Sequence, residues 1–93
     1  MLHSQRREER CIVSLLIAFD STQQALRAEM LLEYADIEID ICPTPKEITA
    51  GCALSIAFPA EALSEVRRII SSEQVMIRGL FRKNCTGYEE IMV

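Results

Sequence analysis

The pattern of apolar and polar residues predicts four β-strands and a short C-terminal tail. A continuous apolar run at 11–19 is typical of a strand that is buried on both faces. Strict alternation at 37–41 and at 52–58 predicts two strands that each have one apolar face. A fourth strand is predicted at 74–83, and residues 84–93 are predicted to form a turn and a tail.

Two segments between these strands have apolar residues at helical spacing. The first, residues 20–35, starts with three residues that can each cap a helix through a side-chain oxygen. The second, residues 59–73, begins at Pro59, because proline is favoured at the first position of a helix. The predicted apolar stripes comprise Ala25, Leu26, Met30, Leu31 and Leu32 in the first helix and Ala62, Leu63, Val66, Ile69 and Ile70 in the second.

The predicted order of elements is strand, helix, strand, strand, helix, strand. This is the order of a ferredoxin-like βαββαβ sandwich, an α+β fold with two helices on one face of an antiparallel sheet. A chain of 93 residues has room for one such domain. We expect the domain to span residues 11–93, after a polar N-terminal tail at residues 1–10.

The composition argues against several classes of protein. A formal net charge of −4 disfavours nucleic-acid binding, which needs a basic surface. No apolar run reaches the roughly 18 residues of a membrane-spanning helix, and no signal peptide is recognisable. We therefore expect a cytoplasmic protein that does not act at a membrane, with cysteines that are mostly reduced.

The sequence also lacks the residues of common catalytic sites. The only histidine, His3, lies in the tail, so neither a hydrolase triad nor a zinc site is predicted. The three glycines are scattered and form no phosphate-binding loop. We expect no cofactor and no metal, and a stand-alone enzyme is not favoured, which leaves the thiols as the candidate chemistry. Because Cys11 falls in the first strand and Cys85 in the C-terminal turn, the candidate thiols are Cys42 and Cys52.

The segment between these two cysteines predicts a short helix. Thr44, Pro45 and Glu47 match the N-cap, first and third positions of a capping box. Gly51 matches a left-handed C-terminal cap, so we expect about one to two helical turns, from Pro45 to about Ala50. The partial positive charge of a helix N-terminus stabilises a nearby thiolate and lowers its pKa.

Cys42 lies just before this predicted helix. The alternation of the preceding strand places it with Glu38 and Asp40, away from the isoleucines, so its thiol should be accessible. The two acids should raise the pKa of this thiol. The string Cys-Pro-Thr-Pro resembles the Cys-Pro-x-Pro signature of small bacterial sulfur-relay carriers. In those carriers, however, the motif starts the first long helix and does not follow the second strand.

Cys52 opens the third predicted strand. Its position aligns it with Leu54 and Ile56, which favours a buried and unreactive thiol. The adjacent Gly51 favours the opposite interpretation, because a glycine lets another molecule approach the backbone closely. The spacing of residues leaves the choice between these interpretations open.

Two stretches of the chain resemble motifs of the selenium/sulfur (Se/S) carrier-like family. They are "FDSTQQALRAEMLL" at 19–32 and "PTPKEITAGCALSIAF" at 43–58. The resemblance covers roughly residues 12–81, and the recurrent cysteine of the family corresponds to Cys52, whereas Cys42 has no counterpart. The family has arginine at the position of Lys46, and it often has glycine at the position of Ala53.

The resemblance implies a carrier that accepts a sulfane sulfur or selenium atom on Cys52 and passes it to a partner protein. The bound form would be a persulfide or perselenide, the donor a protein such as a cysteine desulfurase, and the recipient an acceptor protein. Lys46, the amides of residues 49–51 or the hydroxyl of Thr49 would stabilise the anion. The residues expected to support the site are Thr44, Pro45, Lys46, Thr49 and Gly51, with Cys42 as the second candidate thiol.

Two other hypotheses stand beside the carrier. One is a regulatory or protein-interaction module with incidental cysteines, in which an open sheet edge binds a partner or forms a homodimer. The other is a redox switch through a disulfide between Cys42 and Cys52, which requires Cα atoms within about 7 Å of each other.

Overall fold

The structure is a computed structural model that describes residues 14–84 and 87–91. The predictions for the tail at 1–10, for Cys11 and for Cys85 fall outside these described residues. The elements, in chain order, are β1 (Ser14–Ala18), α1 (Thr22–Tyr34), β2 (Asp40–Pro43), β3 (Leu54–Pro59), a short 3-10 helix (Ala60–Ala62), α2 (Leu63–Ser72), β4 (Gly79–Asn84) and β5 (Gly87–Ile91).

The five strands form one antiparallel sheet in the order β2-β3-β1-β4-β5. β1 is central, and its Leu16 lies between Ala57 of β3 and Phe81 of β4. Four of its five residues are buried, as the continuous apolar run predicts. Together with the two helices, this sheet makes an α+β fold, which confirms the predicted class.

The prediction of a turn and tail after β4 is wrong where the structure describes that segment. Residues Gly87–Ile91 form a strand that pairs with β4, placing Glu90 opposite Phe81. Gly87 opens the strand with a φ of +149°, which residues with a side chain rarely adopt. The sequence Tyr88-Glu89-Glu90 lacks the alternation of apolar and polar residues by which the other half-buried strands were predicted.

The other predicted strands and the two predicted helices are confirmed in type, although several of their bounds differ from the prediction. In the structure β2 begins at Asp40, β3 at Leu54, α2 at Leu63 and β4 at Gly79, each later than predicted. Ile41 pairs with Ile56 and shares its face of the sheet. Because β2 is an edge strand, however, Ile41 remains exposed, and the burial that we predicted for this face of β2 is incomplete.

Both helices pack on one face of the sheet and share a core with it. The predicted stripe of α2 is confirmed at Val66, Ile69 and Ile70. The predicted stripe of α1 is confirmed at Ala25 and Leu32, which are buried, but it is wrong at Leu26 and Met30, which are 53% and 64% exposed. Ala28, outside the predicted stripe, is buried in their place. The two small alanines let α1 approach the sheet closely, and this orientation turns the larger side chains toward solvent.

The opposite face of the sheet is partly covered by the β2–β3 connection, residues 44–53. Ile48 of this connection is buried and packs with Leu16 and Ala18 of β1. Cys52, near the end of the connection, belongs instead to the core on the helix side. The connection therefore passes from one face of the sheet to the other before β3 begins.

Candidate functional site

Cys52 lies at the junction between β1 and α1. Its backbone N–H donates a hydrogen bond of 3.0 Å to the carbonyl of Phe19, the residue that follows β1. The cysteine is only 4% exposed and packs in the core that the helices share with the sheet. This position agrees with the burial that its alignment with Leu54 and Ile56 favoured.

Two groups contact the sulfur atom of Cys52. The backbone N–H of Leu54 donates to Sγ at 3.3 Å, and the hydroxyl of Thr22 lies 3.4 Å from the same atom. Thr22 is the first residue of α1, which begins after Ser21 accepts a hydrogen bond of 3.4 Å from the N–H of Gln24. The sulfur therefore lies beside the first turn of a helix of 13 residues.

These surroundings determine what the sulfur can do. The N–H of Leu54 and the hydroxyl of Thr22 are directed at Sγ, while the surrounding core residues exclude bulk water. The thiol of Cys52 thus combines an apolar, buried setting with two polar contacts.

The loop over this thiol is held in place by Asp20 and Arg78. Asp20 accepts a hydrogen bond of 2.7 Å from the N–H of Gly51 and lies 3.7 Å from the guanidinium of Arg78. Arg78 donates from Nε to the carbonyl of Thr49 at 3.1 Å and from its backbone N–H to the carbonyl of Ala18 at 2.7 Å. Two half-exposed side chains thus fasten the segment that precedes Cys52 to the end of β1.

Gly51 is required by close approach rather than by backbone conformation. A Cβ at this position would lie 2.8 Å from the carbonyl oxygen of Asp20, which is closer than real contacts allow. The predicted left-handed cap at Gly51 is wrong, because Gly87 is the one glycine with positive φ among the described residues. The glycine instead lets the loop lie directly against the backbone that leads into α1.

Thr44 fixes the start of the β2–β3 connection to its end. Its hydroxyl donates to the carbonyl of Cys52 at 3.0 Å, so the 2.7 Å contact with Ser55 is one in which the serine donates. The backbone N–H of Thr44 also donates to the carbonyl of Ala53 at 2.8 Å. The predicted N-cap role of Thr44 is wrong, because its hydroxyl is already used across the loop.

The predicted helix from Pro45 to about Ala50 does not form. A single turn takes its place, in which the N–H of Ile48 donates to the carbonyl of Pro45 at 3.0 Å. Burial of Ile48 and the cross-loop bonds at either end favour this more extended path over a helix. Lys46 is exposed and contacts nothing in the described site, and Thr49 contributes its carbonyl rather than its hydroxyl.

Cys42 lies in β2 on the face of the sheet that is opposite the helices. It is half-buried and packs at the border of the cluster around Ile48, so it is less accessible than predicted. Burial raises the pKa of the Cys42 thiol, and the nearby carboxylate of Asp40 raises it further. The predicted direction is confirmed, although burial is the larger cause and Glu38 is not among the causes.

The two thiols are not placed to form a disulfide. Cys42 pairs with Ser55 across β2 and β3, whereas Cys52 lies three residues before Ser55 and packs on the other face. Both thiols are free, and each packs in a separate apolar cluster on its own side of the sheet. The arrangement therefore gives no support to the disulfide switch.

The described residues were predicted to form neither a metal site nor a membrane-spanning helix. Within residues 14–84 and 87–91, no group of three or more His, Cys, Asp or Glu side chains could hold a metal ion. In the same part of the chain, no helix is long and apolar enough to cross a membrane.

Three residues lie at the site although the sequence analysis assigned them no role there. Asp20 and Thr22 were considered only as helix caps, although the stretch "FDST" that resembles the family motif contains both. Arg78 reaches the site because β4 lies beside β1, and no local pattern in the sequence indicates this.

The fold and the site define a small α+β domain with a buried thiol beside a helix N-terminus. The family described as Putative Se/S carrier protein-like matches residues 14–82, about three quarters of the chain. The chain belongs to this family, as the two motifs predict. No curated protein and no solved structure matches the chain.

Proposed function

We propose that the protein carries a sulfane sulfur or selenium atom on Cys52, as a persulfide or perselenide. The observation that carries this proposal is the position of Sγ, which lies at the start of α1 within 3.4 Å of the Leu54 N–H and the Thr22 hydroxyl. Membership in the Se/S carrier-like family supports the same function. The function suits a reducing compartment such as the cytoplasm, where thiols stay free.

Loading is an exchange between the thiol and a donor persulfide. The thiolate of Cys52 attacks the terminal sulfur of a donor R–S–SH, and the S–S bond of the donor breaks. The donor leaves as the thiol R–SH with the proton that Cys52 gave up, and the carrier becomes Cys52–S–SH without net oxidation. A donor R–S–SeH gives Cys52–S–SeH in the same way, and an acceptor thiol repeats the exchange at delivery.

The proposed carrier would also protect its bound sulfur from water and reductants. Cys52 is buried in the core on the helix side, which keeps it away from water and from small reductants, and the adjoining residues 49–51 are fastened by Asp20 and Arg78. Exchange with a partner requires this loop to move, because the attacked and attacking sulfur atoms must meet. A carrier that is closed when free and open when docked protects its cargo between partners.

We propose further that the fold is a ferredoxin-like sandwich extended by one strand. From β1 to β4 the elements follow the order βαββαβ, with a 3-10 helix before α2. The strand order β2-β3-β1-β4 places β1 between β3 and β4, and β5 adds to the β4 edge. This class serves many functions, so it does not by itself support carriage.

Intact-mass measurement tests the carrier proposal. Incubation with a cysteine desulfurase and cysteine should add one sulfur atom to the wild type and to Cys42→Ser, and none to Cys52→Ser. The Cys42→Ser variant is the matched control, because it removes the other candidate thiol and leaves Cys52 in place. If Cys52→Ser still gains the atom, Cys52 is not the acceptor. If Cys42→Ser alone abolishes the gain, the Cys-Pro-Thr-Pro site carries the sulfur.

A second candidate function is an interaction module with incidental cysteines. The outer edge of β2 has no strand beside it in the sheet, and Ile41 on this strand is exposed. Such an edge can accept a strand from a partner or from a second copy. This function is favoured if no sulfur is gained and every thiol reacts with iodoacetamide no faster than ordinary cysteine.

A further inference from the structure

An exposed row of side chains runs along α1 from the thiol site. It consists of Thr22, Leu26, Met30 and Tyr34, each four residues after the last and therefore adjacent on the helix surface. Thr22 contacts Sγ of Cys52, and the three apolar members are 53%, 64% and 92% exposed in chain order. Large apolar side chains that line up at the surface mark interaction sites more often than scattered ones do.

Acidic residues lie along one side of this row. At 100° per residue, Glu29 and Glu33 follow the flank of α1 on which Thr22 meets the cysteine loop. Glu38 lies near Glu33 and continues the negative charge toward β2, and within the described residues none of these three carboxylates forms an ion pair. The surface around the row is thus apolar in the middle and negative along one side.

We propose that this row is the surface on which a donor or acceptor protein docks, a partner with an apolar groove and a basic rim. The proposal rests on the proposed function, because it explains how a partner's thiol comes to lie over Cys52. The apolar row fits a groove in the manner of a helix recognised by residues at a spacing of four. Because this flank of α1 is acidic, the rim of the partner's groove should be basic, and attraction between the opposite charges raises the association rate.

Charge and size argue for such a partner over a second copy of this chain. Two copies packed through α1 would bring the same carboxylates near each other, and like charges at an interface are unfavourable. An apolar row of three side chains is also small compared with the larger, more apolar surfaces of permanent dimers. A modest surface of this kind suits a partner that must dissociate after each exchange.

The test compares a small donor with a protein donor on the same variants. The double variant Met30→Gln/Tyr34→Gln alters the row, and Met76→Gln is the matched control, because Met76 is 69% exposed but lies outside α1. With a cysteine desulfurase and cysteine, the double variant should gain sulfur about tenfold more slowly than the wild type, and Met76→Gln should equal the wild type. With glutathione persulfide, all three proteins should load Cys52 equally.

The two donors separate failure of the docking surface from failure of the carrier. If neither donor loads Cys52 of the wild type, the proposed function itself is wrong. If the desulfurase loads the double variant at the wild-type rate, or if glutathione persulfide loads Cys52 while the desulfurase loads neither protein, the docking surface is wrong. Charge reversal at Glu29→Lys/Glu33→Lys should slow only the desulfurase reaction, and an unchanged rate contradicts the basic rim.

Two measurements on the protein alone identify other occupants of the row. A dimer in sedimentation experiments that dissociates in Met30→Gln/Tyr34→Gln would assign the row to a second copy and overturn the proposal. Peroxide oxidation, mapped by mass, should modify Met30 about as fast as Met76. Much slower oxidation of Met30 in the monomer would mean that the chain's own N-terminal segment covers the row, which also overturns the proposal.

Discussion

The hydroxyl of Thr22 lies 3.4 Å from Sγ of Cys52, so the first residue of α1 touches a side chain that is thirty positions later in the chain. This contact connects the two stretches by which the sequence resembles its family. The Ser-Thr pair therefore has two separate roles: Ser21 caps α1, and Thr22 is a positioning residue for the sulfur.

Replacement of Thr22 by valine should slow sulfur transfer to Cys52. The variant keeps the shape of the side chain but removes the hydroxyl, and one hydrogen bond of about 1 kcal/mol corresponds to roughly a fivefold rate change. Thr22→Ser should restore the wild-type rate. The readout is the rate of sulfur gain from glutathione persulfide by intact mass. A valine variant that loads at the wild-type rate would show that this contact is only structural.

Loosening the loop over Cys52 should expose the thiol. We expect Asp20→Ala and Arg78→Gln each to raise the rate of iodoacetamide labelling of Cys52 about fivefold, because each removes bonds that hold residues 49–51 in place. Peptide mapping measures the label at this cysteine alone. Arg68→Gln is the control, since it breaks an exposed ion pair with Glu65 on α2 and should change nothing. Equal rates in all variants would mean that access does not depend on these contacts.

Gly51→Ala should destabilise the domain by about 1–3 kcal/mol, the range for forced overpacking. The added methyl would meet the backbone oxygen of Asp20, which cannot move without shifting the start of α1. Urea unfolding measures the loss. Ala53→Gly, an exposed change in the same loop, should alter stability by no more than about 1 kcal/mol. The close-approach argument fails if the two variants are equally stable.

The raised pKa of Cys42 makes stability depend on alkaline pH. Folded Cys42 keeps its proton at pH values where the unfolded thiol has lost it, so the folded state binds more protons. The free energy of unfolding should therefore be unaffected by this group below roughly pH 9 and should fall above it. Cys42→Ser should show a smaller decline than the wild type in urea titrations between about pH 8 and 10.5. Identical slopes would contradict the raised pKa.

Asp40→Asn tests the second cause of that shift. Removing the carboxylate should lower the pH midpoint of Cys42 alkylation part of the way toward that of a cysteine peptide, because burial remains. Glu38→Gln is the matched control on the same edge and should leave the midpoint unchanged. A full return to the peptide value would make Asp40, not burial, the main cause.

The sequence predicts the class of fold well because its strongest signals are periodic. The apolar run of β1 and the stripe of α2 depend on burial that repeats along one element, and both are confirmed. The stripe of α1 was mispredicted because Leu26 and Met30 are more apolar than Ala28, while close packing favoured the small alanine. β5 was missed because its Tyr-Glu-Glu sequence shows no apolar and polar alternation, although Tyr88 and Ile91 pack against the two apolar clusters of the sheet.

The site was predictable only in part. Family resemblance indicated Cys52, whereas local spacing favoured its burial without deciding between a buried and an accessible thiol. The capping pattern around Thr44 predicted a helix, yet the hydroxyl of Thr44 bonds to the far end of the same loop instead. Local patterns cannot reveal such partners, because they are eight or more residues apart. Arg78 is a stronger case, since it reaches Thr49 from a position just before β4, 29 residues later in the chain.

The β2–β3 connection is anchored at two nearby points on opposite faces of the sheet. Ile48 is buried on one face and Cys52 on the other, so any movement of the loop is confined to the three residues between them and must break the bonds that Asp20 and Arg78 make to them. A segment this short moves on a timescale of nanoseconds to microseconds, which is far faster than two proteins meet at cellular concentrations. The frequency at which the carrier and its partner collide, and not the speed of the loop, would therefore limit the rate of sulfur transfer.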